Sequence, residues 1–188
     1  MKPIKIDVLV KISIFSAISF VLMRFFEFPI PFLWPELKYD MSEVPAAIIG
    51  FSISPAAGVS VILIKNALHL ITSFNLIGII ANTIVGTIFV GVSASLYARD
   101  KKLKTAVSGM LFATVVMALV MMPVNFFLVR LFTGGQMPNM ERLVFYSIPT
   151  FNLFKGALNA VITCVLYKRV SKAFLKQGSG LTQPPESH

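Results

Sequence analysis

The chain has 188 residues, 56% of them hydrophobic, and a mean hydropathy of +0.80. Soluble domains of this length are far less apolar, so composition alone excludes an ordinary water-soluble fold. The formal net charge of +9 points, in so apolar a chain, to the cytoplasmic loops of an integral membrane protein rather than to nucleic acid.

A hydrocarbon core of about 30 Å asks for about 20 apolar residues per straight helix. That ruler predicts an all-α membrane protein of six transmembrane helices. Helix 1 runs from Val8 to Phe26, with no small-x-small site that would make it a cleaved signal peptide. A long loop, residues 27–42, follows: "EFPIPFLWPELKYDMS". Loops of this length tend to be lids or binding loops, and three prolines stiffen this one. The spacing Asp40-x-x-Glu43 reads as a capping box that starts helix 2, a short segment from Glu43 to about Ile53. Helix 3 spans Pro55 to Ile71, split from helix 2 by "SISP", where Ser54 before Pro55 is a good helix start. Merging helices 2 and 3 into one kinked span would leave five. Helix 4 covers Leu76 to Tyr97, helix 5 Leu103 to Phe132, and helix 6 Ile148 to Val170. Residues 1–176 form one membrane domain, and the polar tail 177–188 has the composition of a disordered segment.

Charge sets the orientation. With both termini cytoplasmic, the inner segments hold Lys2, Lys5, Lys11, Arg99, Lys101, Lys102, Lys104, Lys168, Arg169, Lys172 and Lys176, which is 11 of the 17 Lys and Arg. The outer loops hold Arg24, Lys38, Arg130 and Arg142 together with Glu27, Glu36, Asp40, Glu43 and Glu141. Five spans would place the Arg99 to Lys104 cluster on the side opposite the basic N-terminus. Two cations, Lys65 and Lys155, remain inside predicted helices.

An ammonium within a bilayer is expensive and needs a reason. Helix 6 enters from outside, so Asn152 and Lys155 lie about 6–10 Å below its outer end. Asn125 on helix 5, Asn66 and His69 on helix 3, and Asn82 and Thr83 on helix 4 fall in the same outer layer. Asn152 and Lys155, at i and i+3, share a helix face, with Asn159 one turn further in. Such amides and ammonium donors suit a neutral or weakly acidic ligand rich in carbonyls, ring nitrogens and hydroxyls. Phe126, Phe127, Phe151, Phe154 and Trp34 offer flat apolar walls. Plainer readings stand beside this one. Interhelical asparagines such as Asn66, Asn82 and Asn159 serve as packing glue, and His69 as an interface residue. Lys155 can snorkel to the outer headgroups, and the lone Cys164 suits helix packing.

On helix 1, Ser13 and Ala17 stand four apart in the cytoplasmic half, a small-xxx-small spacing that lets another helix approach closely. No G-x-x-x-x-G-K-[ST], H-E-x-x-H or G-x-S-x-G motif occurs. No Asp or Glu is expected deep in a helix, which speaks against proton-coupled antiport and metal-dependent lipid chemistry.

The run "LKYDMSEVPAAIIGFSISPAAGVSVILIKNALHLI", then "PVNFF" and "FNLFKGALN", resembles the riboflavin-binding substrate-specific components of energy-coupling-factor (ECF) vitamin transporters over nearly the whole chain. The resemblance implies a bacterial cell-membrane protein with an outward-facing flavin site and no catalytic cofactor. Its partners would be a transmembrane coupling subunit and two ATPase subunits. By the same resemblance, Asn125, Asn152 and Lys155 match flavin-contacting positions, and Leu33 to Asp40, with Lys38 and Tyr39, the lid. Asn66 is a further candidate contact. Ser13 and Ala17 match the helix 1 patch that meets the coupling subunit, where the family usually has two alanines. A component for another vitamin, such as thiamine, is the nearest alternative; a small membrane enzyme or a stand-alone facilitator are others.

Overall fold

The structure is a computed structural model that describes residues 6–30, 33, 37–73, 75–134, 136 and 138–179, with backbone alone beyond Tyr167. Trp34 and the tail from residue 180 lie outside the described residues. The helices are α1 (Ile6–Phe25), α2 (Glu43–Ser52), α3 (Pro55–Thr72), α4 (Leu76–Asp100), α5 (Leu103–Thr133), the single turn α6 (Met140–Arg142) and α7 (Ile148–Ser179). A π-helical turn, Leu143–Ser147, links α6 to α7. Among the described residues five helical stretches are long and apolar enough to cross a membrane, and α2 is a shorter apolar helix. Ten residues at 1.5 Å each make α2 about 15 Å long.

The break between α2 and α3 has a local cause. Ser54 is extended at the N-cap, its hydroxyl accepts from Ala57 N at 3.2 Å, and Pro55 opens the helix where a missing N–H costs nothing. Lys101 and Gly134, both left-handed, end α4 and α5. α7 continues to Ser179, three residues into the segment read as a polar tail. The loop expected to be irregular is pinned at its base: Phe28–Pro29 (β1) pairs antiparallel with Lys38–Tyr39 (β2).

α2 is the hub of the bundle. Nine of its ten residues are buried, wrapped by α1, α3, α4 and α7. Small residues allow this: Ala46, Ala47, Ala57, Ala94 and Ala113 join Val61, Ile62, Val90, Met110 and Met117 in the core. The outer helices show the inverse of a soluble protein. Leu9, Ile14, Ile18, Phe112, Val115, Leu119, Val161 and Val165 are exposed, which suits lipid and would be a liability in water. At one end Phe51, Tyr97 and Tyr167 stack edge to face, and the two tyrosine hydroxyls lie 2.9 Å apart. The other end holds a cavity.

Close backbone approach explains Gly58. A Cβ on Gly58 would lie 2.8 Å from both Ala46 O and Gly50 Cα and 2.6 Å from Val90 Cγ1. Backbone atoms cannot step aside as a side chain can. On Gly91 it would meet Val59 Cγ2 alone, at 3.5 Å. Gly58→Ala is therefore expected to lower stability by about 1–3 kcal/mol. Gly91→Ala should leave it unchanged or raise it, since alanine favours helix. Thermal unfolding of the two variants in one detergent checks the contrast.

Candidate functional site

Two lysines in the bundle interior determine what surrounds them. Lys65 on α3 is fully buried and Lys155 on α7 nearly so. A charge in such a place needs an opposite charge and saturated hydrogen bonds. Asp40, at the end of the long loop, and Glu43, the first residue of α2, supply them. Lys155 Nζ lies 3.0 Å from Asp40 Oδ2, 3.0 Å from Glu43 Oε1 and 3.1 Å from Asn82 Oδ1. Lys65 Nζ is 3.5 Å from Glu43 Oε1 and donates to Ser42 Oγ, which donates in turn to Asp40 Oδ1. Asn159 donates to Glu43 Oε2 at 3.1 Å and accepts from the Tyr39 hydroxyl at 2.9 Å. Two carboxylates against two ammonium groups leave the cluster formally neutral.

The outer-loop acids reach further inward than the sequence reading placed them. Asp40 and Glu43, read as outer-loop acids, are both buried. Their burial follows from the lysines, whose charges would be uncompensated without them. The capping box does not form either. Ser42 is the N-cap of α2 without a side-chain cap bond, and Asp40 Oδ1 instead accepts from Ser42 N at 3.0 Å, an Asx-type turn that aims the carboxylate at Lys155. Burial opposes the charge on Asp40, but the Lys155 and Lys65 ammonium groups and the Ser42 bond outweigh it and hold the carboxyl well below the usual carboxylate range.

Beside the cluster is a cavity of about 490 Å³, within the range of small-molecule sites. Its deep wall includes Asn82, Met121, Asn125, Phe151, Asn152 and Lys155; its mouth includes Arg24, Glu27, Lys38, His69 and Asn75. Lys38 and Glu27 form a half-exposed ion pair at 2.8 Å across that mouth. Asn125 and Asn152 are buried, and each donates Nδ2 to the carbonyl four residues back, Met121 O and Ile148 O, at 2.9 Å. That back-bond fixes the amide orientation and leaves the oxygen free to accept. Asn152 Oδ1 is buried with no partner among the described residues, a state that costs free energy until something fills it. The π-helical turn before Ile148 sits where α7 begins to present Ile148, Phe151, Asn152 and Lys155 to the cavity.

Of the residues singled out in the sequence, Asn125, Asn152, Lys155, Lys38 and Asp40 line this one cavity. Tyr39 lies behind it, fully buried, and with Ile30 and Phe151 forms a small cluster against which Leu33 packs. Asn66 is buried in α3, where it donates to Ile62 O at 3.0 Å, and does not line the cavity. Ser13 and Ala17 are exposed on α1, while Ser16 and Ser19 are buried against the bundle. Glu43 was missed as a site residue. The signal was available in the two intramembrane lysines, which between them require two acids. Arg24, Glu27 and Asn75 were missed too, and nothing in their spacing marks them.

Removing one member of the cluster should expose its cost. Lys65→Met leaves an uncompensated buried carboxylate and is expected to destabilise the fold by about 3–5 kcal/mol. Glu43→Gln in the same chain restores neutrality and should recover part of that loss. The depressed folded value of Asp40 has a definite sign. Its stabilisation is complete above about pH 4, near its unfolded value, and fades as pH falls toward the folded one. Melting temperatures from pH 7 downward, with Asp40→Asn giving a lower and shallower curve, check this.

Comparison with known proteins agrees with this architecture. The family model for the substrate-specific component of ECF transporters matches residues 7–167. The riboflavin transporter RibU of Staphylococcus aureus is 35% identical over 176 residues, covering 90% of this chain and 92% of its own. The riboflavin transporter FmnP of Bacillus subtilis is 31% identical over 184 residues, covering 92% and 96%. A solved S component of a bacterial ECF transporter superposes with a TM-score of 0.80 at 35% identity, over 90% of this chain and 98% of that one. The chain belongs to the substrate-specific components of ECF transporters.

Proposed function

We propose that this chain is a riboflavin-binding S component that spans the cell membrane six times, both termini cytoplasmic and the cavity facing outward. The charge asymmetry of the loops supports the orientation. The short helix α2, together with the loop end that precedes it, would count as a span, as the first limb of a hairpin with α3. The names of the relatives supply the ligand: both are riboflavin transporters. The observation that carries the site is the buried, unpartnered Asn152 Oδ1 on the wall of a cavity of ligand size.

Riboflavin is uncharged near neutral pH, and a formally neutral cluster imposes no net field against it. Asn125 and Asn152 would accept from its ring N–H or its ribityl hydroxyls through their free amide oxygens. Lys155 would donate to a ring carbonyl or nitrogen. Phe151 would lie against the flat ring system. Lys38 and Asp40 would close the mouth as part of the loop, with Tyr39 and Leu33 bracing it from behind and Asn66 supporting α3 beneath. Transport would require the partners that define the family, a transmembrane coupling subunit and ATPases. Ser13 and Ala17 suit close approach by a partner helix, because they interrupt a face otherwise built from exposed Leu9, Val10, Ile14, Ile18 and Val21.

Purified in detergent, the protein should be yellow or should quench riboflavin fluorescence at stoichiometric ligand. A colourless preparation with no quenching sinks the proposal. Asn152→Leu fills the amide's place with an apolar group and should weaken binding by about 1–3 kcal/mol. Ser13→Leu should leave riboflavin binding intact and reduce co-purification with the coupling subunit.

A further inference from the structure

Lys155 Nζ has three oxygens within 3.1 Å among the described residues. It donates to Asp40 Oδ2 at 3.0 Å and to the amide oxygen of Asn82 at 3.1 Å, and Glu43 Oε1 lies 3.0 Å away as an ion-pair partner outside hydrogen-bond geometry. A ligand acceptor that reaches Lys155 competes with these oxygens for its N–H donors.

The three are not equal. Asp40 and Glu43 are full counter-charges, and separating a buried ion pair is costly, whereas Asn82 offers the ammonium only an amide dipole. Asp40 and Glu43 are also held from other sides, by Ser42, Lys65 and Asn159. Asn82 is neutral, only partly buried, and on the cavity wall. Among the described residues its Nδ2 has only Met23 Sδ, 3.8 Å away, a weak acceptor. Asn82 is the partner that yields.

We infer that Asn82 is an affinity-determining residue of the pocket: it occupies one N–H donor of Lys155 while the site is empty and gives that donor up to a carbonyl or ring nitrogen of the ligand. The inference rests on the reading that the cavity takes a ligand carrying such acceptors. Asn82 thus competes with the ligand. In the empty protein it saves Lys155 from an unpaired N–H, and on binding this contact is exchanged for the ligand's.

Competition has a sign that a direct contact lacks. Asn82→Leu removes the acceptor at similar volume, so the empty state loses a bond that the bound state has already given up. Binding should tighten by about tenfold. Asn82→Asp presents a third carboxylate, so the ligand must now displace an ion pair rather than an ion–dipole bond. Binding should weaken by at least about tenfold.

Riboflavin titrations of the wild type, N82L and N82D in one detergent, read by fluorescence quenching, test this, with melting temperatures taken with and without saturating riboflavin. The expected result is opposite shifts in affinity. N82L should also melt below the wild type when empty, and the gap should narrow with ligand. Should N82L not fold, N82A replaces it with the same expected sign. Weakened or unchanged binding in N82L or N82A, or unchanged or tighter binding in N82D, overturns the inference. A wild type that binds riboflavin while the variants fail to split defeats this inference alone. A wild type that binds none defeats the riboflavin reading with it.

Discussion

Two ammonium groups in an apolar bundle set the terms for everything around them. Lys65 is fully buried and Lys155 nearly so, so each draws in acceptors from other parts of the chain. The charged acceptors come from the end of the long loop and the start of α2. Asp40, Ser42 and Glu43 bond inward to α3 and α7. A loop that could lie on the surface is thereby fastened to the bundle floor. Its base is further fixed by the short β ladder and by Tyr39, whose hydroxyl reaches Asn159. Electrostatics, not loop propensity, decides where this segment goes.

That fastening also decides where α2 lies. A ten-residue helix has few contacts with which to fix its own position. Here its first residue is tied to both lysines and to Asn159, and its remaining length is small enough in cross-section to sit among four other helices. Gly50 and Gly58 let α2 and α3 approach until their backbones touch. The polar tie fixes one end, and close packing against Val90 and Ala94 fixes the other. The cavity forms at the tied end, where the larger polar side chains hold the helices apart.

The helices were legible in the sequence because their signals are local. Apolar length, Ser54 before Pro55 and the charge asymmetry each act within a few residues. The cavity residues Asn125, Asn152 and Lys155 were legible for a related reason: a polar group in an apolar run is costly and so conspicuous. Asp40 and Glu43 were not, because in sequence they look like ordinary loop acids. Only their partners 115 and 22 residues further on give them away. The Asp-x-x-Glu spacing misled for the same reason. A capping box is the best local use of those residues, but two buried ammonium groups offer a far larger electrostatic gain than a helix cap. Phe28–Pro29 and Lys38–Tyr39 escaped notice because two-residue strands carry no periodicity to read.

The two ends of the molecule divide two tasks that would otherwise conflict. A ligand pocket needs polar groups held in place, and these must be shielded from lipid. A surface that meets another membrane protein needs the reverse, an apolar face with nothing to desolvate. On α1 both demands are met along a single helix. Met23 and Arg24 face the cavity, whereas Ser13 and Ala17 lie 10 and 6 residues before Met23, about 15 and 9 Å away along the axis, and face outward. The Ser13 hydroxyl is already spent on Leu9 O at 3.0 Å. It adds a small, smooth surface and no unsatisfied donor. A partner docking there need not touch the charge cluster, and a ligand entering the cavity need not disturb the docking face. Any coupling between them must pass through the packing of α1 against α2 and α3, the two helices that carry Glu43 and Lys65.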